Sequence, residues 1–208
     1  MNVLIFGATG KTGRFLISEG LKEGYHITAF IRNINGLAIK DNNLLLLQGS
    51  ILNSKDIQEA MVGQDVVICV LGNKTSSALW KSNTVISDGV RNIISAMKIQ
   101  SVKRFLFVSS FGVVEEIFLP EKLVIRTVLK NIFAEIPKQE ELVRHSGLEW
   151  TIVRPARLVD SRRTGKYKIG NTLPIHLFSK ISRADVADFL LKIIKDPNYI
   201  GRTVTISS

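Results

Sequence analysis

The 208 residues contain one cysteine, three histidines and three tyrosines, and each scarcity excludes a class of chemistry. A lone cysteine, Cys69, has no partner for an intramolecular disulfide and no set for a cysteine-based zinc cluster. It lies in the apolar run Val66-Val67-Ile68-Cys69-Val70-Leu71, the setting of a buried thiol rather than a reactive one. His26, His145 and His176 are scattered without ligand spacing, so no metal site is expected. No apolar run approaches the roughly 18 residues of a membrane span. The first ten residues lack a basic segment ahead of an apolar one and read as a strand, so no secretion signal is expected. A cytoplasmic protein without a membrane partner is the expectation. No G-x-S-x-G elbow exists for a serine hydrolase.

Charge is plentiful and one-sided. Lysine and arginine number 28 against 18 aspartate and glutamate, a net charge of +10. Nucleic-acid binding would call for a basic stripe interleaved with aromatics, and none is present. The densest basic segment is Arg154, Arg157, Arg162, Arg163, Lys166 and Lys168, opposed only by Asp160. It reads as a rim that attracts carboxylates or phosphates, or as a solvated loop. The 45% hydrophobic and 22% charged fractions are ordinary globular values. A chain this long buries roughly 70% of its unfolded surface and needs no staples.

Short apolar runs alternate with helical patterns. Val3 to Phe6, Ile27 to Ile31, Leu44 to Leu47, Val66 to Leu71, Phe105 to Val108 and Trp150 to Val153 read as six strands. Helices are expected from about Lys11 to Lys22 and, capped by Asn53 or Ser54, through Met61. A long helix covers roughly Leu79 to Lys98, with Ile86, Val90, Ile93, Ile94 and Met97 on one face. Val186, Phe189, Leu190, Ile193 and Ile194 mark a late helix. The β-branched run Thr203 to Ile206 is expected as an edge strand. This rhythm predicts an α/β fold: one Rossmann-like, doubly wound parallel sheet with helices on both faces. Ligands of such sheets bind where the strands end, at the switch point.

The first such turn is Gly7-Ala8-Thr9-Gly10-Lys11-Thr12-Gly13. G-x-x-G-x-x-G between a first strand and a first helix permits a tight turn and close approach of a pyrophosphate, which the helix N-terminus then attracts. A Walker A loop is excluded, because Ile5 stands where its first glycine is needed. The second strand ends in Arg32 rather than an acid. An acid would bond the ribose 2′-hydroxyl of NAD, whereas Arg32 suits a 2′-phosphate, so NADPH is the expected cofactor. Ser50 and Ile51 after the third strand are expected to border the adenine. Leu71, Gly72 and Lys74 after the fourth are expected to meet the ribose and pyrophosphate. Ser109 and Ser110 after the fifth should lie near the nicotinamide, and Pro155, Ala156 and Arg157 after the sixth near its carboxamide. On this reading, residues 1–208 form one NAD(P)-binding domain, with substrate-covering segments after the fifth and sixth strands.

Gly7 to Gly13, Arg32, Leu71-Gly72, Ser109-Ser110, Ser146-Gly147-Leu148 and Arg154-Pro155 together resemble the atypical short-chain dehydrogenase/reductases that bind NAD(P)H. Within that family the chain most resembles the biliverdin reductase B, or flavin reductase, branch. Val85 to Lys98 and Thr164-Gly165-Lys166-Tyr167 are similar to that branch too. The resemblance implies a monomer that moves hydride from NADPH to a flavin such as FMN or to a linear tetrapyrrole such as biliverdin, with Ser110 as the catalytic serine. The chain departs from it at Ser50, where the family has aspartate, at Gly36, where it has a second arginine, and at Arg157, where it has histidine. Phe111 offers a face for stacking an acceptor ring, and Arg162 and Arg163 could hold its phosphate or propionates. His176 stands in a candidate lid. The Tyr-x-x-x-Lys pair of ordinary short-chain dehydrogenases is absent: Ala29, Asn171 and Thr203 follow the three tyrosines at that spacing. Flavin reduction can take its proton from water, so the absence is compatible with a reductase. It equally keeps open a non-catalytic NADP(H)-binding redox sensor of the NmrA-like type.

Overall fold

The computed structural model describes residues 1–72, 84–110, 130–171, 173 and 178–208. The first strand, β1 (Asn2–Phe6), is apolar at successive positions because both its faces are covered. Val3 and Ile5 point to one face, where α1 (Lys11–Lys22) and α5 (Arg183–Ile193) lie; Leu4 and Phe6 point to the other, where α2 (Ser54–Met61), α3 (Val85–Ile99) and α4 (Lys130–Arg144) lie. Leu16, Ile17, Phe189 and Leu190 fill the first core, and Ile57, Met61, Val90, Ile93 and Met97 the second.

The remaining strands of the main sheet are β2 (His26–Ile31), β3 (Leu44–Gln48), β4 (Val66–Cys69), β5 (Arg104–Val108), β6 (Glu149–Pro155), β8 (Lys168–Gly170) and β10 (Arg202–Ser207). Their order is β3-β2-β1-β4-β5-β6-β10-β8, parallel except for the last pair. The order reverses between β1 and β4, which opens a crevice at their carboxyl ends. Two short strands, β7 (Arg157–Val159) and β9 (Lys180–Ser182), pair separately. The expected doubly wound α/β sheet is therefore present.

Three expectations need correction. Thr203 to Ile206 belong to β10, which is not an edge strand: the segment after β7 folds back and caps it with antiparallel β8. β6 runs on through Arg154 and Pro155, so these lie within a strand rather than after it. β4 stops at Cys69, two residues short of Leu71. The described part of the long helix, α3, begins at Val85, and residues 79–83 of the expected span lie outside the described residues.

The opposite edge of the sheet is locked by a buried arginine. Arg104 donates to the carbonyls of Ile193, Ile194 and Glu149 and to the Thr151 hydroxyl, at 2.8–3.2 Å. A cation at the last turn of α5 also suits the helix dipole. Among the described residues, no helix is long and apolar enough to cross a membrane.

Candidate functional site

Parallel registry sets the site. Phe6 lies beside Phe30 and Cys69, Ile31 beside Gln48, Cys69 beside Phe107, and Val108 beside Val153. The residues that follow these positions therefore gather along one edge. Gly7 to Gly13, Arg32, Ser50 and Ile51, Leu71 and Gly72, Ser109 and Ser110, and Pro155 to Arg157 all stand there. Lys74 and Phe111 lie outside the described residues, as does His176.

The glycine loop is a cradle that side chains would fill. Gly7 takes φ +88°, and a Cβ on it would stand 2.7 Å from the Val70 carbonyl oxygen. A Cβ on Gly13 would stand 2.4 Å from the Gly7 carbonyl oxygen. The loop thus closes tightly on β4 and on the first turn of α1. Gly10 caps α1 with ordinary backbone angles and without a side-chain hydrogen bond. The helix's first N–H groups therefore face outward with no side-chain acceptor, which is the condition for binding an anion. Thr9, Gly10 and Lys11 are exposed; Thr12 is buried. The first turn of α1 contains Lys11 and Arg14 and no acid, an arrangement the helix dipole disfavours, and Asp160 from beyond β7 offsets Lys11. These residues fit a dinucleotide pyrophosphate.

Arg32 is exposed directly after β2, with Asn33 capping the turn Ile34–Gly36. The Ser50 amide donates to Asp56 and its hydroxyl accepts from Leu52 N–H. Ile51 is half-buried against Gly89 of α3, and its carbonyl accepts from Asn92.

At the β5 end the site is built from side chains. Ser109 donates to Glu140 of α4 at 2.6 Å. Arg154 grips the same carboxylate through two nitrogens, at 2.8 and 2.5 Å, and Arg144 adds a third contact at 2.6 Å. Glu140 is fully buried. Burial pushes its carboxyl up, but the bonds from Arg154 and Ser109, the charge of Arg154 and the bond from Arg144 outweigh it and hold the group below the usual carboxylate range. Sequence reasoning missed Glu140. Its only local signal is a helical pair with Arg144, the pattern of an ordinary solvated pair. Ser110 is exposed beside Ser109.

Pro155 and Ala156 are buried, and the Ala156 amide donates to Ile206. Arg157 is exposed on β7. Beyond β7, Asp160 bonds both Lys11 of the cradle and Arg183 of α5. The turn at Thr164-Gly165 is held by buried Asp185, which accepts both backbone amides at 2.7 and 2.8 Å. Arg162 is exposed; Arg163 lies against α1 and α5, 3.5 Å from Glu19 and from Asp188.

No tyrosine stands where the strands of the cradle end. Tyr25 precedes β2 and Tyr199 precedes β10, at the opposite edge. Tyr167 donates to Asp188 at 2.8 Å, and burial together with that bond pushes its phenol up to about 12. Among the described residues, no group of three His, Cys, Asp or Glu side chains is placed to hold a metal ion.

Known proteins share this architecture. A short-chain dehydrogenase/reductase from Veillonella parvula, solved in complex with NADP, matches with a TM-score of 0.82 over 100% of this chain and 94% of that one, at 19% identity. The anaerobilin reductase ChuY from Escherichia coli O157:H7 matches with a TM-score of 0.79 over 99% and 96%, also at 19% identity. At these identities the likeness is one of fold. In sequence, the chloroplastic divinyl chlorophyllide a 8-vinyl-reductase of Arabidopsis thaliana is 26% identical over 99% of this chain and 53% of its own length. The chain spans 61% and 34% of two other chloroplastic relatives from the same plant. The sequence pattern of the NAD(P)H-binding family matches residues 7–197, from the first glycine of the cradle to the turn before β10, and the chain belongs to that family.

Proposed function

We propose that this chain is an NADPH-dependent reductase that passes a hydride to a flavin such as FMN or to a linear tetrapyrrole such as biliverdin. The observation that carries the reading is a pyrophosphate cradle whose crevice has serine hydroxyls at its far end and none of the chain's three tyrosines. When bound, the dihydronicotinamide supplies the hydride. The chain's own residues bind and orient. Gly7 to Gly13 would receive the pyrophosphate, with Lys11 and the first amides of α1 opposing its charge. Arg32 would pair with a 2′-phosphate. Ser109, fixed by Glu140, would border the nicotinamide, and the exposed Ser110 would orient nicotinamide or acceptor. With the Tyr167 phenol, beside the carboxyl end of β10, committed to Asp188, the accompanying proton comes from water, which suits conjugated ring acceptors and disfavours simple ketones.

The acceptor class is supported by two relatives whose names are those of tetrapyrrole reductases, one sharing the fold and one sharing 26% of aligned residues. Arg157, Arg162 and Arg163 would draw the acceptor's phosphate or propionates to the rim. Lys74 and Phe111 belong to the same proposal. The test is NADPH oxidation with FMN, biliverdin or a quinone, followed at 340 nm. Turnover supports the reductase, and Ser110→Ala should then lower kcat more than NADPH affinity. Tight NADPH binding without turnover on any of the three would replace the reading with a non-catalytic NADP(H) sensor.

A further inference from the structure

We infer that Arg14 is a second determinant of NADPH over NADH, supplying from helix α1 the guanidinium that the turn after β2 lacks. The inference rests on the proposed NADPH preference and adds a residue to it. Between Arg32 and Lys40 the chain has no basic residue, and position 36 is Gly36. Arg14 fills the gap from the other side. Its Nε donates to the Thr9 carbonyl at 3.1 Å and its Nη2 to the Gly36 carbonyl at 2.7 Å. One side chain thus spans the glycine loop and the turn Ile34–Gly36.

The glycine makes this possible. A Cβ at position 36 would stand 3.1 Å from the Thr9 Cγ2, so a larger residue would press the turn away from the loop. A guanidinium has five N–H groups, and these two bonds use one on Nε and one on Nη2. The rest of the fork sits on an exposed side chain. Exposed Arg32 stands four residues before Gly36, and exposed Thr9 is the loop residue whose carbonyl Arg14 holds. The end of the second strand is where dinucleotide folds meet the ribose 2′ position. Two planar guanidiniums, one on the residue after β2 and one reaching the turn that follows it, suit the phosphate of NADPH and have nothing comparable to bind on NADH.

Arg14 also explains an electrostatic oddity. With Lys11 it places two cations and no acid in the first turn of α1, which opposes the helix dipole. Asp160 pairs with Lys11 and accounts for one cation. The reach of Arg14 toward Gly36, away from the helix axis, assigns it to a second anionic group.

The experiment measures the ratio of dissociation constants, Kd for NADH over Kd for NADPH, by titration calorimetry on wild type, Arg14→Gln and Arg14→Lys. The pair 5′-AMP and 2′,5′-ADP, which differ only in the 2′-phosphate, serves as a control free of nicotinamide. Loss of one charge-assisted contact should lower the ratio about tenfold in Arg14→Gln. Arg14→Lys, which keeps the charge but not the fork, should lower it about threefold. The ratio cancels any general loosening of the loop, because both cofactors share it. An unchanged ratio overturns the inference, including the case in which both affinities fall together and Arg14 is only a brace. If circular dichroism shows that Arg14→Gln has not folded, the Arg14→Lys ratio decides in the same way. A wild-type ratio near one would instead contradict the NADPH reading itself, before any variant is compared.

Discussion

The two halves of the crevice are built differently. The half proposed for adenosine is made largely within the first 36 residues, from β1 through the turn Ile34–Gly36, and largely from backbone: Gly10 N–H to the Gly7 carbonyl, Arg14 N–H to Gly10, Arg14 side chain to Thr9 and Gly36. The half proposed for the nicotinamide is made from side chains far apart in sequence, with Ser109, Arg144 and Arg154 converging on one buried carboxylate. A backbone cradle tolerates change wherever no Cβ intrudes. A buried ionic cluster tolerates little, because removing any partner strands the others in a medium that penalises charge.

That contrast is broken most sharply at Gly10. Its backbone angles are ordinary, and a Cβ would lie 3.2 Å from the Gly7 oxygen. Gly10→Val should therefore abolish NADPH binding while its melting temperature stays near wild type; retained affinity would mean that the cofactor lies elsewhere. Glu140→Ala should show the reverse, keeping the cradle but losing about 3–5 kcal/mol of stability in denaturant unfolding. The carboxyl of Glu140 is held below its unfolded value of about 4.3. It therefore contributes stability above that pH and loses it as pH falls through the folded value. Wild type should lose stability below about pH 4.3, and Glu140→Ala should lose less over the same interval. A parallel loss in both proteins would remove Glu140 from the account.

Arg32→Ala should weaken NADPH by about 1.5–3 kcal/mol, or roughly tenfold to a hundredfold, and leave NADH nearly unchanged. Equal losses would cancel its assignment to a 2′-phosphate. The smallest effect is expected at Arg163, half-exposed and 3.5 Å from Glu19 and Asp188. Arg163→Ala should cost under about 1 kcal/mol, screened further by salt. A larger loss in thermal unfolding would make this pair a structural clamp.

The same division explains what could be read from sequence. The six strands up to β6 announce themselves as apolar runs, because a parallel strand covered on both faces needs little else. The glycine loop is legible because its spacing and its position after β1 report one local turn. Helix α4 is not: it runs through Pro137, a residue that argues against a helix, and Glu135, Gln139 and Glu140 face inward where a sequence pattern expects apolar residues. Strands β7, β8 and β9 have three residues each, too few for a period to show. Arg14 carried a faint signal, a cation in a first helical turn with no acid beside it. Its reach to Gly36, 22 residues on, requires the fold.

On the proposed function, the first helix and the second strand end together select a 2′-phosphorylated dinucleotide. Calorimetric titration of the purified wild-type chain with NADPH and with NADH at low salt tests it most directly. NADPH should bind at least about tenfold tighter than NADH, as one charge-assisted contact alone provides. Equal affinities, tighter NADH, or no binding of either would contradict it.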